Sequence, residues 1–164
     1  MLHHIYAMNR TSLLLLCLVA SSLALADDIP NLKLTPGAVR EGLSQKKICS
    51  IKWGRDARHV TQAMKRQVFE MYGYSGYGDP RCVPAGKRTC EIDHLVSREL
   101  GGADVISNLW PQAYGTKPWN AVLKDKLENR LNKEMCRGNI TLQEGRDMLV
   151  NDWREAYKKY YGAP

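Results

Sequence analysis

The chain has 164 residues, with 24 lysines and arginines against 17 acidic residues and a net charge of +7. This length suits a single domain with a modest core, and the sequence contains no internal repeat or low-complexity tract. A basic charge favours binding to polyanions such as nucleic acid or anionic membranes. It is equally typical of soluble proteins that bind neither, so charge alone assigns no function.

The N-terminal segment predicts export. Residues 11–25 form an apolar run that is shorter than the about 20 residues needed to span a bilayer. Small residues (Ala24 and Ala26) close this run, as in a signal peptide with its cleavage site. We expect residues 1–26 to be a signal peptide and residues 27–164 a single domain, with a net charge of +6 because Arg10 is lost. Such a protein would be periplasmic or secreted, with no stable membrane association after cleavage; an uncleaved anchor is the alternative.

Four cysteines would remain after cleavage: Cys49, Cys82, Cys90 and Cys136. An even number in an exported domain predicts two disulfides, and four cysteines allow three pairings. Cys82 and Cys90 flank a short loop that contains proline and glycine, and a bond between them would close it. Cys49 and Cys136 would then tie the N-terminal segment to the C-terminal helices. A structural zinc site is the alternative, although the sequence has no Cys-x-x-Cys pair.

The first half of the domain predicts one helix between irregular segments. Residues 27–47 are polar with scattered Leu, Pro and Gly, which indicates an irregular lead-in. Apolar residues at helical spacing predict a helix over Thr61–Tyr72, capped by Thr61 and ended by Gly73. Residues 74–87 are rich in Gly and Pro and indicate a loop.

The second half predicts two short strands and two helices. Alternating polar and apolar residues predict a strand over Glu91–Val96. The Gly-Gly pair indicates a turn at 101–104, and a second strand or extended segment is expected over Val105–Pro111. A leucine stripe predicts an amphipathic helix over Asn120–Met135. A capping box opens a last helix over Thr141–Tyr160. The predicted fold class is therefore α+β, with a short antiparallel hairpin packed against flanking helices and stapled by disulfides.

The pair Asp93-His94 carries the chemistry that this hairpin can support. Histidine is the natural base near neutral pH, and a carboxylate beside it can hold a divalent cation. Successive side chains on a strand point to opposite faces, so the pair must lie at a strand end or a bend to act together. The amide oxygen of Asn120 is a fair ligand for a hard cation. Taken alone, Asn120 is simply a helix cap and Asn108 a turn residue.

The motifs occur in one order: residues 91–104, then 108–112, 119–121 and 124–128. In this order they resemble the HNH endonuclease family, and more closely its small exported bacterial members. The resemblance implies a ββα-metal finger at about residues 90–136. It implies that His94 is the general base, that Asp93 is a metal ligand and that Asn108 braces the hairpin. Asn120 would be the second ligand, at a position where the all-histidine form of the family has histidine.

The remaining expectations concern substrate and cofactor. Arg98 and Lys124 lie just outside the set of Asp, His and Asn residues and would bind the scissile phosphate or its neighbours. For either one, a solvated charge or a local ion pair is the alternative. The resemblance implies one divalent metal ion, Mg²⁺ first, with Mn²⁺ or Zn²⁺ as alternatives. It implies nucleic acid as the substrate, with DNA as the main expectation and RNA as the alternative. Because no base-reading module is visible and the basic charge would contact backbone phosphate, we expect little sequence specificity. A non-catalytic binding module on the same scaffold is the competing function, and nothing in the sequence indicates a protein inhibitor.

Overall fold

The computed structural model describes residues 28–52, 56–82 and 90–164. The predicted signal peptide and residues 83–87 of the predicted loop lie outside these ranges. Within them the chain is α+β, with four α-helices and one two-stranded antiparallel sheet, in the following order: α1 Gln45–Cys49, α2 Gln62–Met71, β1 Cys90–His94, β2 Leu109–Ala113, α3 Ala121–Cys136 and α4 Leu142–Tyr161. None of the helices in the described ranges is long and apolar enough to cross a membrane.

Side-chain caps set the starts of the three long helices, and the sequence predicted all three within a residue or two. Thr61 accepts a hydrogen bond from the Met64 backbone N–H at the start of α2. Asn120 caps α3, and Thr141 opens α4 with a complete capping box. Such caps satisfy backbone donors that a helix leaves unpaired in its first turn. The short helix α1 was not predicted, because it lies at the end of the polar lead-in.

The hairpin is shifted from its predicted bounds. β1 spans Cys90–His94 and pairs with β2 in a register that sets Glu91 opposite Gln112 and His94 opposite Leu109. The prediction carried the first strand on to Val96 and began the second at Val105. Instead, the backbone of Val96 forms hydrogen bonds with the side chain of Asn108. Residues 106–108 form a 3₁₀ turn that precedes β2.

The two faces of the hairpin pack against different helices. On one face Ile92 and Leu109 are buried with Val68 and Phe69 of α2. On the other face Asp93 meets α3. The larger apolar cluster lies between α3 and α4, where Leu131 and Trp153 are fully buried. The hairpin therefore lies between two packed layers, which explains why most of its side chains are excluded from water.

Two disulfides confirm the predicted pairing. The long bridge joins Cys49 at the end of α1 to Cys136 at the end of α3, 87 residues apart in sequence. The short bridge joins Cys82 to Cys90 at the start of β1, 8 residues apart. The structural zinc site is thereby excluded for these four sulfurs. Disulfides are typical of proteins that fold in an oxidising compartment.

Candidate active site

Asp93 and His94 are the last two residues of β1, and their side chains diverge. Because side chains alternate along a strand, Asp93 points toward α3 while His94 points to the side covered by α2. Both residues are buried, with 9% and 4% of their surface exposed. The pair lies at a strand end as expected, but each member has its own set of partners.

His94 is held by a carboxylate that the sequence analysis did not single out. Its Nε2 lies 2.7 Å from Oδ1 of Asp104. Burial lowers the pKa of His94 to about 4, against the opposing effects of Asp93 and Asp104. The imidazole is therefore neutral at pH 7, and Nε2–H donates to the carboxylate. No described residue forms a hydrogen bond with Nδ1, which leaves that atom as the basic nitrogen of the ring.

A tight glycine turn brings Asp104 back to His94. The backbone N–H of Gly102 donates to the Ser97 carbonyl at 2.8 Å. A Cβ atom on Gly102 would lie 1.8 Å from the Val96 carbonyl oxygen, so no other residue fits there. Asp104 also accepts a hydrogen bond from the His59 backbone N–H at 2.6 Å. Burial raises the pKa of Asp104, but the hydrogen bonds from His59 and His94 hold it below its usual value.

The side chain of Asn108 cross-links the loop between the two strands through hydrogen bonds to its backbone. Its Oδ1 accepts from the backbone N–H groups of Val96 at 2.9 Å and Ala38 at 3.2 Å. Its Nδ2 donates to the carbonyls of Val96 and Ala103, both at 3.0 Å. The residue is completely buried, and its amide uses both donors and both acceptor positions.

Arg98 lies beside Asp104 in a network of alternating charges. Its guanidinium is 2.7 Å from Oδ2 of Asp56 and 3.7 Å from Oδ1 of Asp104. Arg40 binds the same Asp56 at 3.3 Å. These four side chains line a cavity of about 260 Å³ together with His59. His94 does not line it, but its partner Asp104 does.

The carboxylate of Asp93 is bound by Lys124, which is entirely buried. The Lys124 ammonium donates to Asp93 Oδ2 at 2.6 Å, to the His94 carbonyl at 2.6 Å and to a carboxylate oxygen of Glu128. Burial by itself lowers the pKa of Lys124, but the two carboxylates outweigh it and hold the pKa above its usual value. Lys124 thus cannot contact a phosphate in solution, and the expected substrate-binding role is replaced by a buried ion pair.

The predicted metal ligands do not fit a divalent cation in this geometry. Oδ2 of Asp93 faces the Lys124 ammonium. The Oδ1 atom of Asn120 accepts the helix-capping hydrogen bond from the Leu123 N–H at 3.1 Å, and its Nδ2 donates to the Thr116 carbonyl. Asn120 and Asp93 share no hydrogen bond. Across the described ranges, no group of three or more His, Cys, Asp or Glu side chains is arranged to hold a metal ion.

The side of the hairpin that carries Asp93 also buries polar atoms without a protein partner. Within the described ranges these are Oε1 of Glu91, Nε1 of Trp110 and both amide atoms of Gln112. Burial and the nearby Asp93 raise the pKa of Glu91 to about 7. Ordered water is the usual partner of such atoms. This side is therefore polar and acidic, and Lys124 is the cation fixed within it.

The sequence did not predict the roles of Asp104, which holds His94, and of Lys124, which binds Asp93. Asp104 was read only as part of a turn, although its position just after the Gly-Gly pair was a usable signal for a return toward β1. Lys124 carries no such signal, since a lysine in the first turns of a helix is ordinarily solvated.

Searches against known protein families, curated protein sequences and solved structures find no match for this chain.

Proposed function

We propose that the protein is an exported endonuclease of the HNH type, which hydrolyses phosphodiester bonds in nucleic acid. The observation that carries this proposal is the neutral His94 held at Nε2 by Asp104, beside a loop braced by Asn108. A histidine whose one nitrogen is bound to a carboxylate is oriented to act as a base through the other nitrogen.

His94 would act on a water molecule. Nδ1 takes a proton from the water as its oxygen attacks phosphorus, and the bond from phosphorus to the 3′-oxygen breaks. The departing 3′-oxygen takes a proton from solvent water and leaves as a hydroxyl group, and the imidazolium then returns its proton to solvent. A pKa of about 4 is low for a base at neutral pH. The negative charge of a bound phosphodiester would raise this pKa, because an anion nearby favours the imidazolium form. Activity would then depend on substrate binding to tune the base.

Arg98 would hold the phosphate. Its side chain is 19% exposed and already forms charge-assisted hydrogen bonds with Asp56. Arginine matches phosphate oxygens in a two-point geometry, so a phosphodiester can compete with Asp56 for the guanidinium. The net charge of +6 expected for residues 27–164 favours contacts to the nucleic-acid backbone, which are made without regard to sequence. We infer DNA as the main substrate and the periplasm or the extracellular space as the location.

The test is cleavage of supercoiled plasmid and of single-stranded RNA, each with Mg²⁺, Mn²⁺, Zn²⁺ or a chelator. We expect His94→Ala and His94→Gln to lose about 10²–10⁴-fold in rate. We expect Asp104→Asn to lose activity because its amide NH₂ would donate to Nε2 and leave the ring proton on Nδ1, the nitrogen that has to act as the base. Arg137→Ala is a matched control, since Arg137 is an exposed cation just after the end of α3 with only a long 3.8 Å ion pair. Circular dichroism establishes that each variant is folded. If folded His94→Ala cuts as fast as the wild type, His94 is not the base.

A non-catalytic nucleic-acid-binding module is the second candidate. Two observations favour this alternative. The His94 side chain is only 5% exposed, which limits its access to substrate, and the carboxylate of Asp93 is occupied by the Lys124 ammonium. Under this alternative the wild type retards both nucleic acids in a gel under every metal condition but leaves them intact. The binding would weaken steeply with salt, since it would rest on phosphate contacts.

A further inference from the structure

We propose that the Lys124 ammonium is a permanent internal cation of the site, which replaces a divalent metal ion at Asp93, so that the hairpin binds no such metal. This inference concerns the charge at the end of β1 and does not depend on the proposed nuclease activity. It differs from the single metal ion that the family resemblance implies.

The contacts of Lys124 use all of its bonding capacity. An ammonium group has three N–H donors and no acceptor. Here it has three oxygen partners: Asp93 Oδ2 at 2.6 Å, the His94 carbonyl at 2.6 Å and Glu128. Carboxylate and carbonyl oxygens are also the ligands that Mg²⁺, Ca²⁺ and Mn²⁺ prefer. The surroundings of Nζ are therefore chemically a cation site, with an ammonium in it.

The fold explains how Lys124 comes to be there. Asn120 caps α3 just ahead of Lys124, and Glu128 follows Lys124 by one helical turn on the same face. That face meets the end of β1, so one side chain reaches both Asp93 and the backbone of His94. Lys124 is thus a positioning residue, which ties α3 to the strand that carries His94.

A metal ion and this ammonium exclude each other. A divalent cation bound to Asp93 would lie within a few ångströms of a buried positive charge, where repulsion is weakly screened. Moving Lys124 into solvent would break the three hydrogen bonds of its buried ammonium.

The first measurement is Mn²⁺ binding to the purified wild-type protein, followed by electron paramagnetic resonance and by calorimetry. We expect no bound Mn²⁺ and the same Tm with Mn²⁺, Mg²⁺, Zn²⁺ or a chelator. One bound Mn²⁺ per chain that disappears in Asp93→Asn would overturn the proposal. This readout needs no enzymatic activity and no Lys124 variant, so it stands even where the nuclease proposal fails.

The second measurement vacates the position with Lys124→Ala. We expect the variant to gain one bound Mn²⁺ per chain, with a Tm about 5–10 °C higher when free Mn²⁺ is about 100 times its Kd. Lys133→Ala is the matched control, because Lys133 is an exposed lysine of the same helix, and we expect no gain there. A folded Lys124→Ala protein that binds no Mn²⁺ would show that the surroundings of Nζ are not a cation site. If Lys124→Ala folds only with Mn²⁺ present, the proposal is supported.

Discussion

Replacing Asn108 with aspartate tests whether this side chain braces the hairpin. The change keeps the shape of the residue but removes both N–H donors. The carbonyls of Val96 and Ala103, each 3.0 Å from Nδ2, would lose their partner and face a carboxylate oxygen instead. The two N–H groups that donate to Oδ1 would keep an acceptor. The perturbation therefore removes two of four hydrogen bonds and adds a buried charge.

The size of the effect follows from these contacts. A buried carbonyl left without a donor costs about 1–3 kcal/mol, so two carbonyls cost about 2–6 kcal/mol. Repulsion between the carboxylate and the carbonyls raises the pKa of the introduced group above the about 3.9 of an unfolded aspartate. Above the raised pKa of the folded protein, the introduced carboxylate destabilises the protein by the full cost of its buried charge. This cost disappears as the pH falls below about 4, where the carboxyl group is protonated in both the folded and the unfolded protein. The loss of stability relative to wild type should shrink toward acidic pH.

The assay is urea unfolding of the oxidised protein between neutral and acidic pH, with wild type measured at every pH. Asn108→Ala separates charge from hydrogen bonding, since it should be destabilised without a pH-dependent difference from wild type. Asn129→Asp is the matched control, because the Asn129 side chain makes one exposed hydrogen bond to the Asp125 carbonyl. Exposed substitutions of this kind change stability by about 0.5 kcal/mol or less. Equal stability of Asn108→Asp and Asn129→Asp, or a difference from wild type that does not shrink in acid, would refute the reasoning.

The remaining predictions concern His94 and the disulfides. The folded pKa of His94 is about 4, below its unfolded value of about 6.5, so the unfolded state alone takes up a proton between these values. Stability on the order of 3 kcal/mol is then lost as pH falls from 6.5 toward 4. NMR titration of the His94 imidazole signals checks the pKa, and a measured value near about 6.5 would contradict this prediction. Replacing both cysteines of the long bridge with serine should cost about 4–5 kcal/mol, because the bridge closes a long loop, against about 2–3 kcal/mol for the short bridge. Urea midpoints of the two variants check this order, and equal losses would argue against loop entropy as the cause.

Local signals in the sequence were sufficient to predict the three long helices. Thr61, Asn120 and Thr141 each stand just before an apolar periodic run, and each caps a helix where expected. The hairpin was predicted with shifted ends, because its limits depend on Asn108. The Asn108 side chain forms hydrogen bonds with the backbone N–H and carbonyl of Val96. Strand propensity does not predict a hydrogen bond from a side chain to the backbone.

The composition also predicted the two disulfides. Once Cys82 and Cys90 were paired because they flank a short loop, Cys49 and Cys136 were the two cysteines that remained. A short loop is a local property, so sequence spacing was informative here. Sequence spacing did not reveal the hydrogen-bond partners of His94 and Asp93, because these partners lie 10 and 31 residues away in the sequence.

The sequence by itself determined the three long helices, the strand pair, the turn between the strands and the placement of Asp93-His94 at the end of a strand. Only the tertiary structure decided that Asp104 holds His94 and that Lys124 binds Asp93. The physical reason is that both pairings depend on how the Gly-Gly turn folds back and how α3 docks on the hairpin. A lysine on a helix reads the same in sequence whether its ammonium is in water or, as here, buried between two carboxylates.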